Sequence, residues 1–198
     1  MNSDERRQKI IDAAITVLLD KGVAASRMND FVEASGLSKG GVYHHFDSKE
    51  DLLIGVLEYF MQEFIVIIQL EEPPVSSAYQ QLEQLLHAHE SMMLDLGRYT
   101  QLFIDFLSQS PYLPRFQQMI RNHYELFHSQ LVEIIQRGIQ RQEFLPTTNP
   151  EAIAAGLMGV FDGVGIALTI TQNKIEFPHY AVESAMAMLR GILNDEFR

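Results

Sequence analysis

The chain has 198 residues, a hydrophobic share of 46% and no cysteine. That length suits one medium domain or a small domain with a larger one, and the composition is that of a soluble globular protein. The lack of cysteine excludes disulfides and thiolate chemistry and fits an intracellular, cytoplasmic setting. The formal net charge of -11 would argue against nucleic acid if it were evenly spread, but residues 1–50 carry seven Lys/Arg against eight Asp/Glu, which leaves eight against eighteen for the remainder. A near-neutral amino-terminal part with clustered cations can bind phosphates while an acidic remainder is held away from DNA. The opening MNSDERRQK is charged and lacks the apolar run of a secretory signal.

Residues 4–21 read as an amphipathic helix, with Ile10, Ile11, Ala14, Val17 and Leu18 on one stripe. Acids lead it and Gly22 stops it. Arg6, Arg7 and Lys9 form either a solvated helix end or a phosphate contact. After a connector at 22–25, Ser26 can cap a second helix, and Ser26 or Arg27 can meet a phosphate. That helix has an apolar face of Met28, Phe31 and Val32 and ends at Gly36, a residue suited to a left-handed stop. Leu37 can pack across the turn, and Ser38 can cap a third helix reaching about Phe46.

The third helix carries Lys39, Gly40, Gly41, Tyr43, His44 and His45. Small residues at its front permit close backbone approach, and its cationic and polar aromatic groups suit an anion. This is the composition of a helix-turn-helix whose second helix enters a DNA groove. Residues 47–51 have a capping-box pattern. They open a fourth, apolar helix through Leu52, Leu53, Val56, Leu57, Phe60, Phe64, Ile67 and Ile68, and a break follows at Glu71-Glu72-Pro73-Pro74.

Helical patterning resumes over 75–96, and Gly97 separates it from a short apolar helix, RYTQLFIDFLSQ. Pro111 and Pro114 precede a long amphipathic helix over 115–142. Asn149-Pro150-Glu151 then opens EAIAAGLMGVFDGVGIALTIT, apolar nearly all round from Ile153 to Ile170 with Asp162 its only charge. Its length permits a membrane span, and Gly159-x-x-x-Gly163 is the small-residue spacing of packed transmembrane helices. A charge at its centre and no basic flank oppose that reading. A helix buried on all sides, whose glycines admit a partner helix, is the expectation, and no membrane is implied. A last helix covers 179–194.

His87-x-His89 and His123 with His128 lack the spacing that sets two imidazoles on one helical face, so no metal is expected. There is no nucleophile elbow, phosphate-cradling glycine loop or distinctive carboxylate pair, so neither an enzyme nor a cofactor is expected.

GLSKGGVYHHFDSKEDLL, behind a first helix ending in KG and a connector, resembles the amino-terminal domain of TetR-type (TetR/AcrR) transcriptional regulators over roughly residues 6–57. Gly36, Ser38, Tyr43, Phe46, Lys49, Glu50 and Leu52 stand at the family spacing, and Phe31-Val32 departs from it where Ile-Ala is more usual. The resemblance implies an all-α fold of about nine helices. A three-helix, homeodomain-like helix-turn-helix domain would occupy 1–52, and an effector-binding and dimerisation domain 53–198. It implies DNA-backbone contacts from Tyr43, His44 and Lys49, with Ser38 capping its helix beside a phosphate and Arg27 alongside. Lys39, Gly40 and Val42 would lie nearest the base edges. Lys39 alone there can bond guanine strongly, so DNA shape should carry part of the specificity. His45 is either a phosphate contact or structural, and Phe46 belongs to the core.

In such regulators a cavity between the middle helices receives an effector. Met92, Met93, Tyr99, Phe103, Phe106, Phe116, Met119, Tyr124 and Phe127 would either line it or simply fill core. Asp105 and Glu125 would counter a cationic ligand or remain exposed acids. The last two long helices would form a four-helix dimer interface, through Gly159, Asp162, Gly163 and Ile166 on one and Ala185, Met186 and Leu189 on the other. The implied function is a homodimeric repressor of a pseudo-palindromic operator, released by a small, largely apolar effector. An activator with the same DNA-binding domain and a helical bundle without DNA binding are the alternatives.

Overall fold

The computed structural model describes residues 2–68, 77–95, 97–171 and 177–197, with side chains at all of these except 61–68, 92–95, 97–101, 110 and 169. Among the described residues the order is α1 (Ser3–Ala25), α2 (Met28–Ser35), α3 (Lys39–Tyr43), α4 (Lys49–Ile68), α5 (Ala78–Asp95), α6 (Gly97–Gln109), α7 (Pro114–Gln140), α8 (Pro150–Thr171) and α9 (Phe177–Ile192). Short 3-10 turns stand at Ser110–Tyr112 and Asp195–Phe197. The fold is all-α, and the pairing of Phe144 with Leu193 is an isolated bridge. The break expected at Pro73-Pro74 lies outside the described residues.

The chain divides into two compact units, Met1–Phe64 with Leu102–Ile120 and Ile65–Gln101 with Arg121–Arg198. The expected boundary at 52/53 falls inside α4, which runs from Lys49 to Ile68. In addition, the α6–α7 hairpin brings buried Leu102, Phe106 and Phe116 into the first unit.

In the first unit α1 opens with a capping box, Asn2 Oδ1 accepting from the Glu5 N–H at 2.8 Å while the Glu5 carboxylate accepts from the Asn2 N–H at 2.9 Å. Its apolar stripe buries Ile10, Ile11, Ala14 and Leu18. Gly22, at φ +77°, interrupts the helix where the sequence places its stop. Gly36 closes α2 in the left-handed conformation at φ +63°. Ser38 caps α3, its hydroxyl accepting from the Gly41 N–H at 3.1 Å.

That third helix is shorter than its sequence suggests, covering Lys39–Tyr43 rather than reaching Phe46. Both the His45 and the Phe46 N–H groups donate to the Val42 carbonyl, so the chain tightens into a turn. The turn drops the Phe46 ring into the core. There it lies against Gly55 of α4, where an added Cβ would come 2.7 Å from Phe46 Cε1. The Arg7 guanidinium covers the ring at 5.4 Å from its centroid. Burying a side chain of this size stabilises by roughly 1.5–3 kcal/mol, so Phe46 is a principal anchor of the α3–α4 corner.

The second unit has one continuous core from α5, α7, α8 and α9, including Leu82, Leu131, Ile135, Leu157, Ala185 and Leu189. Gly138 of α7 leaves room for the fully buried Phe144 ring. The segment after α7 is tied to the end of α9 by the Leu145 N–H donating to Ile192 O at 2.8 Å and the Asn194 N–H to Glu143 O at 2.9 Å. Buried Glu143 accepts from the Tyr79 N–H at 3.2 Å, a carboxylate at the amino end of α5 where the helix dipole favours negative charge.

Candidate nucleic-acid interface

The outward surface of α3 consists of small, cationic and imidazole groups. Ser38, Lys39, Gly40 and His44 are exposed and Tyr43 is half-buried. The Lys39 ammonium lies 5.7 Å from the Tyr43 ring centroid, which holds both on one face. His44 and His45 meet edge to face at 5.3 Å. A Cβ at Gly40 would meet nothing within 4 Å, so packing inside the chain does not require glycine there. The missing side chain instead leaves the helix surface open to close approach from outside. Gly41 differs, since a Cβ there would stand 3.2 Å from Ser38 Oγ.

Three residues expected at or beside this surface have other roles. Val42, expected near base edges, is fully buried and anchors α3 to the core, so it is not a reader of bases. Ser26 is buried, its hydroxyl donating to Val23 O at 3.0 Å; the start of α2 is capped instead by the Asp30 carboxylate, which accepts from the Arg27 N–H at 2.7 Å. The Arg27 side chain remains exposed. Lys49, expected on a phosphate, donates to Val23 O at 2.6 Å and Ser26 O at 2.5 Å. Burial lowers its pKa, while Asp105 and Asp30 act the other way.

Sequence reasoning did not find the remaining partners of this corner. The Val23 N–H donates to Asp105 Oδ2 at 2.5 Å, so Asp105 does not wait on a cationic ligand. Arg115, at the start of α7, donates to Asp51 Oδ1 at 2.6 Å. The Asp51 carboxyl is held below its ordinary value, first by Arg115 and then by Ser48. The available signal was an acid beside the buried Phe106 in α6 and a base immediately after Pro114, neither of which names a partner.

The aromatic set expected to line one cavity is divided. Phe106 and Phe116 are fully buried in the first unit with ring centroids 5.2 Å apart, and partly buried Phe103 and Met119 belong to that unit too. Tyr124 and Phe127 belong to the second unit. The side chains of Met92, Met93 and Tyr99 lie outside the described residues. Glu125 is exposed.

Helix α8 is not buried on all sides. Ala155, Gly159, Asp162, Gly163 and Ile166 form an exposed stripe, and a Cβ at Gly159 or Gly163 would meet nothing within 4 Å. Residues Pro150–Leu168 are long and apolar enough to cross a membrane by length and hydropathy alone. Tyr124 donates to Asp162 Oδ1 at 2.9 Å, and burial raises the pKa of both groups. Ala185, Met186 and Leu189, expected on the same interface, are instead buried in the protomer's own core, because α9 turns that face toward α5 and α8. The exposed side of α9 carries Tyr180, Ser184, Ala187 and Gly191. His89 packs its ring 4.3 Å from that of Phe161, and burial lowers its pKa to about 4.

A capped, glycine-opened second helix held on a three-helix core defines a helix-turn-helix DNA-binding protein. Residues 10–56 match the family model for bacterial regulatory proteins of the tetR family, and residues 80–197 match that for the C-terminal part of BetI-type transcriptional repressors. The chain belongs to the TetR family, whose members are transcriptional regulators rather than enzymes. It is 27% identical over 194 residues to the uncharacterised HTH-type transcriptional regulator YfiR of Bacillus subtilis, covering 97% of this chain and 94% of that one. It is 24% identical to the HTH-type transcriptional repressor KstR2 of Mycolicibacterium smegmatis, over 75% of this chain and 72% of the relative. A TetR transcription regulator from Haloarcula marismortui has the same fold, with a TM-score of 0.87 at 21% identity over 96% of this chain and 100% of that one.

Proposed function

We propose that the protein is a homodimeric, effector-responsive repressor acting on a pseudo-palindromic operator in the cytoplasm. The observation that carries this reading is the outward face of α3, where Ser38, Lys39, Gly40 and His44 are exposed around a helix whose one fully buried side chain is Val42. Lys39, Tyr43 and His44, with Arg27, are the groups that meet DNA. Lys39 is suited to a guanine edge or a phosphate, and much of the remaining specificity comes from DNA shape. Repression is supported by the likeness to KstR2, which is a repressor.

The second copy is accommodated by the exposed face of α8 around Gly159, Asp162, Gly163 and Ile166, beside Tyr180, Ser184 and Ala187 of α9. Dimerisation would set two recognition helices about 34–36 Å apart, one turn of duplex. A small, largely apolar effector would favour a spacing that no longer fits, through a coupling of about 1–3 kcal/mol. Helix α4 begins in the first unit and ends in the second, which makes it the natural lever.

Selection from a random duplex pool tests this directly. The protein is expected to retain an inverted repeat, and Lys39→Ala to weaken binding by about tenfold, the worth of one good contact. Retention of no sequence above background would contradict the proposal.

A further inference from the structure

Helices α6 and α7 hold two places in the first unit with opposite charges, Asp105 at Val23 and Arg115 at Asp51 in the first turn of α4. At the first, Asp105 of α6 accepts from the Val23 N–H at 2.5 Å while Lys49 of α4 donates to the carbonyl of the same residue at 2.6 Å. The Val23 peptide groups, in the last turn of α1 beyond the Gly22 break, are thus held between a carboxylate and an ammonium, and Lys49 also reaches Ser26 O at 2.5 Å. At the second, Arg115 of α7 meets Asp51 of α4 at 2.6 Å, so α4 presents Lys49 to an acid's partner and Asp51 to a base within three residues. Ser48 completes the turn, donating to Asp51 Oδ2 at 2.9 Å.

Backbone geometry fits the same arrangement. Gly22 takes φ +77°, which turns the chain out of α1 so that the next N–H faces Asp105; a Cβ at Gly22 would also stand 3.2 Å from Asp105 Oδ2. The position therefore calls for glycine twice, for conformation and for space. Asp105 is itself steadied by Ser108, whose hydroxyl donates to the Asp105 carbonyl at 2.7 Å and lies 3.5 Å from Oδ1.

We infer that Asp105 and Arg115 are positioning residues for DNA binding, forming a two-point clasp by which the α6–α7 hairpin sets the end of α1 and the start of α4. The helix-turn-helix pair α2–α3 lies between those two elements in the chain, so the clasp fixes the start and the end of that pair. This rests on the reading of the first unit as the DNA-binding part. It assigns Lys49 to the clasp rather than to phosphate.

The clasp makes a prediction opposite in sign to simple electrostatics. Removing a carboxylate makes the protein less negative, which by charge alone strengthens binding to DNA. A clasp residue should do the reverse. Binding is measured on a duplex that the parent protein retains from a random pool, for the parent, Asp105→Ala, Asp105→Asn and the control Glu125→Ala, which removes an exposed acid of the second unit. Asp105→Ala is expected to weaken binding by about tenfold, the equivalent of one well-made charge-assisted hydrogen bond. Asp105→Asn, which keeps an acceptor oxygen but loses the charge, should fall between it and the parent, and Glu125→Ala should match or exceed the parent.

Hydrogen exchange at the Val23 amide supplies the structural readout and should be faster in Asp105→Ala while the amides of α1 near Ile11 stay protected. Should Asp105→Ala fail to fold, Asp105→Asn decides alone. A folded Asp105 variant that binds as tightly as the parent or tighter overturns the clasp while leaving DNA binding intact. A parent that retains no duplex overturns the DNA-binding reading and the clasp with it, even if the Val23 amide is protected.

Discussion

The two units of this protein treat their polar groups differently. In the first, ionised side chains stand at helix ends and are matched with opposite charges or backbone dipoles: Lys21 with Asp30, Arg115 with Asp51, and Lys49 and Asp105 on the two sides of Val23. The second unit has surface pairs too, such as His128 with Glu151, but adds titratable groups that burial or apolar rings surround. His89 lies on Phe161, Tyr124 reaches Asp162, and Glu143 is buried at the start of α5. Paired charges at chain corners fix geometry, which a surface that must fit DNA requires. Titratable groups whose pKa is shifted by burial, as at His89, Tyr124 and Asp162, respond to whatever changes their surroundings, such as pH, a ligand or a second copy.

The glycines divide by use rather than by unit, since Gly138 of the second unit makes room for a ring and Gly40 of the first is open. Gly22, Gly36 and Gly55 in the first unit are demanded by positive φ or by a neighbouring ring. Gly159 and Gly163 in the second have open space at the Cβ position, so folding of the single chain does not explain them. Gly159→Leu or Gly163→Leu is therefore expected to leave helix content and melting of the protomer nearly unchanged while abolishing assembly, read by sedimentation velocity. This is the largest effect expected, because a branched side chain on a close helix–helix contact prevents approach altogether. A variant that sediments as the parent would remove these glycines from the interface.

The next effect is one of pH. The folded-state pKa of His89 is depressed to about 4 from 6.5. A base with a lowered pKa binds fewer protons in the folded state, so its contribution favours folding above pH 6.5 and is lost as pH falls from there toward about 4. Between pH 7 and pH 5 this amounts to at most about 2 kcal/mol, at 1.36 kcal/mol per pH unit. His89→Phe should lessen the fall in thermal stability over that interval; a fall as steep as the parent's would place the acid sensitivity elsewhere.

Much of the architecture was legible in the sequence because it depends on local signals. The stop at Gly22, the left-handed close at Gly36, the Ser38 cap and the Asn149-Pro150 opening of α8 all act within a few residues, and each is found where expected. What was not legible depends on which way a side chain faces or on distant pairs. The family resemblance implies a place near the base edges for Val42, yet a five-residue helix needs an inward anchor and Val42 is that residue. Ala185, Met186 and Leu189 read as an interface stripe, but an apolar stripe is the same whether it meets its own chain or another. Asp105 lies 82 residues from Val23, and no local pattern links them.

The central claim is that the two lysines bracketing the recognition helix do different work: Lys39 faces DNA and Lys49 holds the corner together. Each phosphate neutralised by a cation contributes about 0.9 to the slope of log affinity against log salt concentration. Titrating a retained duplex at several salt concentrations with the parent, Lys39→Ala and Lys49→Ala separates the two roles. We predict that Lys39→Ala reduces the slope by about one unit, while Lys49→Ala weakens binding with a slope close to the parent's. The reverse, a reduced slope for Lys49→Ala and an unchanged one for Lys39→Ala, would contradict the account.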